Sequence, residues 1–247
     1  MISQTPKPNW LKPYPPTAKG RSISFGFKDG ADFQADRVEI VNLHQTRFRL
    51  RYKDCDTIAV IPMAGAHFIV NALPGIALGQ LYGLKPEQII SALSDLKAAS
   101  MRGRILNFRE GFTIIDDSYN SNPEALKGMI EMLTGVPGFK RRILVAGEML
   151  ELGPSSKSLH YKCGLFAAHK NLEVVIGVRG DAQEIVQGSR RSGMKESHTR
   201  FFSQPSEASE FLKKEIRDGD LVLVKGSRGV RMETVIQNLR SVFECET

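Results

Sequence analysis

The 247-residue sequence predicts an α/β protein: a doubly wound, mostly parallel sheet fills the C-terminal part, and a smaller α+β unit precedes it. Three observations predict this. From Phe112 onward, short apolar runs alternate with amphipathic stretches at the spacing of strand–helix–strand units. Between Arg21 and Val60 the alternation has period two, as in short strands joined by turns. The composition is 41% hydrophobic and 25% charged, with 22 Gly and 12 Pro. That is a globular chain long enough to bury a sizeable core, not a disordered, collagen-like or disulfide-stapled one.

In chain order, five prolines between Pro6 and Pro16 fix φ and remove backbone donors, so residues 1–20 read as an extended lead-in. The strand-like stretches SISFGF, RVEIV, RFRLRY and TIAVIPM follow, separated by Gly, Asp and Asn. Ala66–Tyr82 has helical spacing, with Pro74 and Gly75 expected to kink or split it. Pro86–Leu96 opens on a proline suited to a first helical turn. The basic Arg102-Gly103-Arg104 leads into a new unit, which sets the boundary between a 21–105 domain and a 106–247 domain. The second domain carries the runs TIID (113–116), RILVAG (142–147), EVVIGV (173–178), RFFS (200–203) and LVLVKG (221–226). Helical patterns lie between and after them at Pro123–Leu133, Ser158–His169, Ala182–Ser192, Ser206–Ile216 and Met232–Phe243. Right-handed crossovers between such strands give a parallel sheet covered on both faces, a Rossmann-like arrangement.

The net charge of +7 suits anionic small molecules as well as nucleic acid, but no aromatic–basic or helix-turn-helix pattern marks a nucleic-acid surface. Cys55, Cys163 and Cys245 form no CxxC pair, which favours a reducing compartment over a disulfide framework or zinc knuckle. Nothing approaches the ~18 apolar residues of a membrane span. The expectation is a soluble, cytoplasmic protein that binds neither nucleic acid nor membrane and carries no metal site of its own.

In open α/β sheets, ligands bind beyond the carboxyl ends of the strands, where loops and helix N-termini converge. Three polar loops fall there. The first is Asp117-Ser118-Tyr119-Asn120-Ser121-Asn122-Pro123, whose blander reading is a capped turn. The second runs from Glu148 through Glu151 to Gly153, and the third is Lys225-Gly226-Ser227-Arg228-Gly229. This third segment puts two cations and a hydroxyl on a glycine-rich bend suited to a carboxylate or phosphate, although it is not a Walker A loop. His67 and Asn71, one helical turn apart, share a face that suits a planar polar ligand such as a nucleobase; surface decoration is the plainer alternative.

Taken together, GAHFIVNAL, Gly103-Arg104, IIDDSYNSNP, AGEMLELG, His160 and VLVKGSRG resemble, in order and spacing, the C-terminal half of the Mur ligases. Among these they look most like the members that join D-alanyl-D-alanine to UDP-N-acetylmuramoyl-tripeptide in peptidoglycan precursor synthesis. The resemblance implies that residues 21–105 are a remnant of the family's central ATPase domain and 106–247 its C-terminal domain. It implies ATP and Mg²⁺ as cofactors of the complete enzyme. His67 and Asn71 would approach the nucleotide, although Phe68 stands where the family has an asparagine. Arg104 would reach ATP at the hinge, and Asp117 would hold the ribose, with Asp116 as its substitute. Tyr119, Asn120 and Asn122 would line the cleft. Glu148, Glu151, Lys225, Ser227 and Arg228 would face the incoming dipeptide. Arg104, Asp117 and Lys225 are thereby the candidate catalytic residues.

The resemblance also implies a carboxylate activated as an acyl phosphate and attacked by an amine, chemistry that depends on a phosphate-cradling loop, a lysine and Mg²⁺. No GxxGK[ST] stretch occurs in the 247 residues, so the chain is expected to be inactive alone. A fragment, a truncated frame and one half of a split ligase, partnered by a separate N-terminal chain, all satisfy that expectation. The alternative is a non-catalytic module that binds nucleotide or dipeptide.

Overall fold

The computed structural model describes residues 22–97 and 101–246; the proline-rich lead-in lies outside the described residues. Two sheets organise the chain. In the first, β2 (Phe33–Asn42), β3 (Gln45–Tyr52) and β4 (Cys55–Ile61) form an antiparallel meander, with the two-residue β1 (Phe25–Gly26) parallel to β2. Only a short piece of SISFGF pairs, and β2 begins four residues before RVEIV. Helix α1 (Ala66–Leu81) packs Ile69, Leu73, Ile76 and Ala77 on Phe48, Leu50 and Ile61 of this sheet. The expected break does not occur, since α1 is continuous through Pro74. Buried residues on both sides of the proline hold the two halves to one core, which offsets the missing backbone donor. Helix α2 (Pro86–Ser94) follows, its first turn closed by Gln88 Oε1, which accepts from the Lys85 N–H at 2.9 Å.

The second sheet has six strands in the order β5 (Arg104–Asn107), β6 (Thr113–Asp117), β10 (Asp220–Lys225), β7 (Arg141–Gly147), β8 (Val174–Val178), β9 (Thr199–Phe202). Only β5 is antiparallel to its neighbour. Strands buried on both faces read as continuous apolar runs, and every residue of β10 is buried. Leu221 and Leu223 join one core with α3 (Pro123–Gly135), α4 (Ser156–His169) and α5 (Ala182–Arg191). Val222 and Val224 join the other with α6 (Pro205–Glu215) and α7 (Glu233–Arg240). The sheet is therefore doubly wound, as the sequence predicts. Helices α4 and α5 cross at glycines: a Cβ on Gly164 would stand 2.0 Å from the Ile185 carbonyl oxygen, and one on Gly188 2.2 Å from that of Tyr161.

Leu43 and Ala64 of the first unit share the α3-side core with Met132 and Leu133. This packing holds the start of α1 against the carboxyl ends of β6 and β10, and a cleft opens between them.

Candidate functional site

Asp117 and Lys225 end neighbouring parallel strands and are register partners. The Lys225 ammonium donates to Asp117 Oδ2 at 2.5 Å and to the Asn120 carbonyl at 2.8 Å. Its side chain is 4% exposed and that of Asp117 14%. A buried charge is tolerated only when paired and hydrogen-bonded, and this one is both. Lys225 thus fixes the loop after β6 rather than offering a free cation on the glycine-rich bend. Arg228 is committed as well, to Glu233 at 3.2 Å. The Ser227 hydroxyl accepts the Leu150 N–H at 2.9 Å and lies 3.5 Å from the Ser121 carbonyl, while the Ser227 N–H donates to the Glu148 carbonyl at 3.2 Å. Lys225 and Ser227 are spent inside the protein, where they build a junction of three loops, and Arg228, exposed, pairs with Glu233 at the surface.

The loop after β6 contains both the bland and the sharp readings. Asp116 is buried, and its Oδ1 accepts from the Ser118 N–H at 3.2 Å and hydroxyl at 2.6 Å, so it is a turn former. Asn122 caps α3, its Oδ1 accepting from the Ala125 N–H at 2.8 Å ahead of Pro123 at the first helical position. Asp117, Tyr119, Asn120 and Asn122 nevertheless all line a cleft of about 320 Å³, at the small end of ligand pockets. His67 and Asn71 of α1, one helical turn apart, line it too.

His67 is the electrostatic oddity of that cleft. Burial pushes its imidazole down to about 4; nearby Asp117 works against the shift and Lys225 with it. Its Nδ1 is buried, without a hydrogen-bond partner among the described residues, beside Gly65, where a Cβ would come within 2.8 Å of the ring nitrogen. Phe68 rests against the His67 ring at 4.1 Å and lines both this cleft and a neighbouring cavity of about 260 Å³.

Arg104 is the nominee that the structure places elsewhere. It lines the neighbouring cavity with Leu43, His44 and Met63, and Arg102 lines the His67–Asp117 cleft instead. Gly103, at φ +76°, turns the chain between the two arginines, which line different cavities, with Phe68 lining both. Arg102 lays its guanidinium over the Tyr119 ring at 4.4 Å. The signal was present in the Arg-Gly-Arg tripeptide. Ser121, also unnominated, lines the cleft with a buried hydroxyl that has no partner among the described residues; the polar stretch containing it was legible, its burial was not.

The loop after β7 is held from within. Glu148 accepts the Asp181 N–H at 3.0 Å and lies 3.8 Å from Arg179, which makes it an anion at the start of α5 rather than a free carboxylate. Glu151 is exposed and has a left-handed backbone, φ 65°. His160, fully buried, accepts the Met149 N–H at Nε2 (2.8 Å), and its Nδ1 lies 2.8 Å from the Ser156 carbonyl. That pairing requires the Nδ1–H tautomer. His160 is therefore the brace of the 148–151 loop. Among the described residues no group of three or more His, Cys, Asp or Glu side chains is placed to hold a metal ion, and no helix is long and apolar enough to cross a membrane.

A family profile described as "Mur ligase, glutamate ligase domain" matches residues 101–228, more than half of the chain. The chain belongs to the Mur ligase family. Its curated relatives include the UDP-N-acetylmuramoyl-tripeptide–D-alanyl-D-alanine ligases of Bacillus subtilis, 30% identical over 189 residues, and of Escherichia coli, 31% identical over 217. These alignments cover 76% and 87% of this chain but 41% and 46% of the relatives, so the chain spans a little under half of such a Mur ligase. A crystal structure of MurF from Acinetobacter baumannii superposes with a TM-score of 0.77 at 26% identity, covering 89% of this chain and 46% of that one. MurF of Thermotoga maritima in complex with ADP gives 0.75 at 25%, over 89% and 48%. The Mur ligase likeness thus extends across both units.

Proposed function

We propose that this chain supplies the nucleotide-facing and amine-facing part of an ATP-dependent ligase that joins D-alanyl-D-alanine to UDP-N-acetylmuramoyl-tripeptide. The observation that carries the reading is the convergence of His67, Asn71, Asp117, Tyr119 and Asn120 on one cleft between the two units. These residues fit the nucleoside end of ATP. Asp117 gives one carboxylate oxygen to Lys225 and keeps Oδ1 for a ribose hydroxyl, while the orphaned Ser121 hydroxyl and the amides of Asn71 and Asn120 offer neutral partners. Bound there, ATP supplies the phosphoryl group that activates a carboxylate for amide formation. The chain's own residues bind and orient the nucleoside, and the 148–151 and 227–228 loops face the incoming dipeptide.

The phosphate-cradling loop and Mg²⁺ ligands fall to the part of the relatives that this chain does not span, joined to it or carried by a separate chain. Closure of one unit on the other excludes water from the activated carboxylate. A ligase of this kind works in the cytoplasm.

The test is reconstitution. ATP-dependent release of phosphate and formation of the peptide product are measured for the chain alone, and for the chain mixed with or fused to the N-terminal part of the Bacillus subtilis relative that it does not span. The chain alone gives no product and the reconstituted protein does. Turnover by the chain alone overturns this division of labour; a reconstituted complex that binds both substrates without ligating them identifies a binding module instead.

A further inference from the structure

The six-stranded sheet has a second end. Where β7, β8 and β10 begin, opposite the ends that meet at Asp117 and Lys225, a cavity of about 280 Å³ lies between the strand starts and α6. Ile143, Val174, Phe211 and Leu212 give it an apolar lining. Two opposite charges, Arg141 and Glu173, also line it, and no ion pair joins them. Asp220, fully buried, takes the Arg141 Nε and Nη2 donors at 2.7 and 2.6 Å, and Nη2 also donates to the Glu215 carbonyl at 2.9 Å. The guanidinium is thereby fixed, with Nη1 left without a partner among the described residues. Glu173 is fixed too: its Oε2 accepts the Arg142 N–H at 2.6 Å, which leaves Oε1 open, and among the described residues no cation pairs with it. The hydrogen bond from Asp220, and after it the fields of Asp220, Glu215 and Glu173, hold Arg141 more firmly charged than usual, so Glu173 is near enough to act on it. The remaining charges are engaged or exposed. Arg217 lies 3.8 Å from Glu215, both at the surface, and Arg200, over the Phe211 ring at 5.7 Å, donates to the Glu196 and Thr199 carbonyls. His198 lines the cavity from an exposed position.

We propose that this cavity seats a small zwitterion of the amino-acid class, its carboxylate on Arg141 Nη1, its ammonium on Glu173 Oε1 and an aliphatic side chain against Val174, Phe211 and Leu212. A bare anion or a bare cation leaves one of the two fixed charges facing an apolar wall unpaired, whereas a ligand with both ends satisfies both. The seat lies at the far end of the sheet from the His67–Asp117 cleft and is independent of what that cleft binds.

The experiment titrates the full chain with leucine, N-acetylleucine, leucinamide and glycine, followed by amide chemical shifts. Leucine binds with a Kd of about 1 mM and shifts the amides of Val174, Phe211 and Leu212 while those of Asp117 and Asn120 stay in place. N-Acetylleucine, which lacks the ammonium, and leucinamide, which lacks the carboxylate, each bind at least about tenfold more weakly, as loss of one charge-assisted pair requires. Glycine, without the aliphatic chain, is weaker as well. Glu173→Gln keeps an acceptor for the Arg142 N–H, weakens leucine about tenfold and leaves N-acetylleucine within about twofold. Arg141 stays intact because it holds Asp220, and its part is read from leucinamide. The proposal is overturned by leucine that shifts none of these amides at about 20 mM. It is overturned equally by shifts confined to the His67–Asp117 cleft, by leucinamide or N-acetylleucine binding as tightly as leucine, or by a folded Glu173→Gln variant with wild-type affinity. Should that variant fail to fold, the comparison of ligands on the wild-type chain decides.

Discussion

Removing either member of the Asp117–Lys225 pair strands a charge at the point where the two central strands end. At 2.5 Å and an effective dielectric constant of about 20, their gross attraction is about 7 kcal/mol. Desolvation of two ions offsets much of this, which is why the useful quantity is the cost of removing one. Asp117→Ala leaves the Lys225 ammonium, on a side chain 4% exposed, with the Asn120 carbonyl alone, at a cost of about 3–5 kcal/mol. For a chain of this length that lowers the melting temperature by about 6–20 °C. Lys225→Met costs less, about 2 kcal/mol, because the Asp117 side chain is 14% exposed and lies at the cleft, where water reaches it. The Asp117→Ala/Lys225→Met double variant, which buries no unpaired charge, recovers most of the larger loss. The assay is guanidinium denaturation followed by far-UV circular dichroism, read as a double-mutant cycle. Single variants that each cost under about 1 kcal/mol, or a double variant that costs the sum of the two, would refute the claim that Lys225 is spent on Asp117.

Three further outcomes follow from the same geometry. Because burial lowers the His67 imidazole from the ordinary 6.5 to about 4, the unfolded chain holds a proton in that window that the folded chain does not. Stability therefore falls as pH drops from about 6.5 to 4, by up to about 3 kcal/mol, and His67→Gln flattens that part of the profile; superimposable wild-type and variant profiles would contradict the burial argument. His160→Ala leaves the buried Met149 N–H without an acceptor, costs about 1–3 kcal/mol, and speeds hydrogen exchange at Met149 and Leu150 while mid-α4 amides stay protected. Gly164→Ala forces α4 off α5 and costs about 3 kcal/mol, whereas Gly128→Ala, on α3 with nothing within 4 Å of its new Cβ, is neutral or stabilising by up to about 1 kcal/mol; calorimetric melting of the two variants compares them directly.

What the sequence revealed and what it hid divide along a physical line. The runs Leu221–Val224 and Ile143–Ala146 announce buried parallel strands because a strand covered on both faces has no polar position to interrupt it. His67 and Asn71 announce a shared face because helical spacing is local. The pairing of Lys225 with a carboxylate 108 residues away is not local, and a lysine destined for burial in an ion pair reads the same as one destined for a phosphate. Ser227, stitching Leu150 to the loop of Ser121, is hidden for the same reason. The two arginines around Gly103 show the limit most sharply: identical residues two positions apart, separated by one backbone angle near +76° that no pattern of polarity encodes. Identity of side chain nominated both the groups that consume each other and the groups that remain for a ligand. Only the accounting of partners in three dimensions tells them apart: Lys225 on the glycine-rich bend is paired with Asp117, whereas Arg102, among the described residues, has no carboxylate partner.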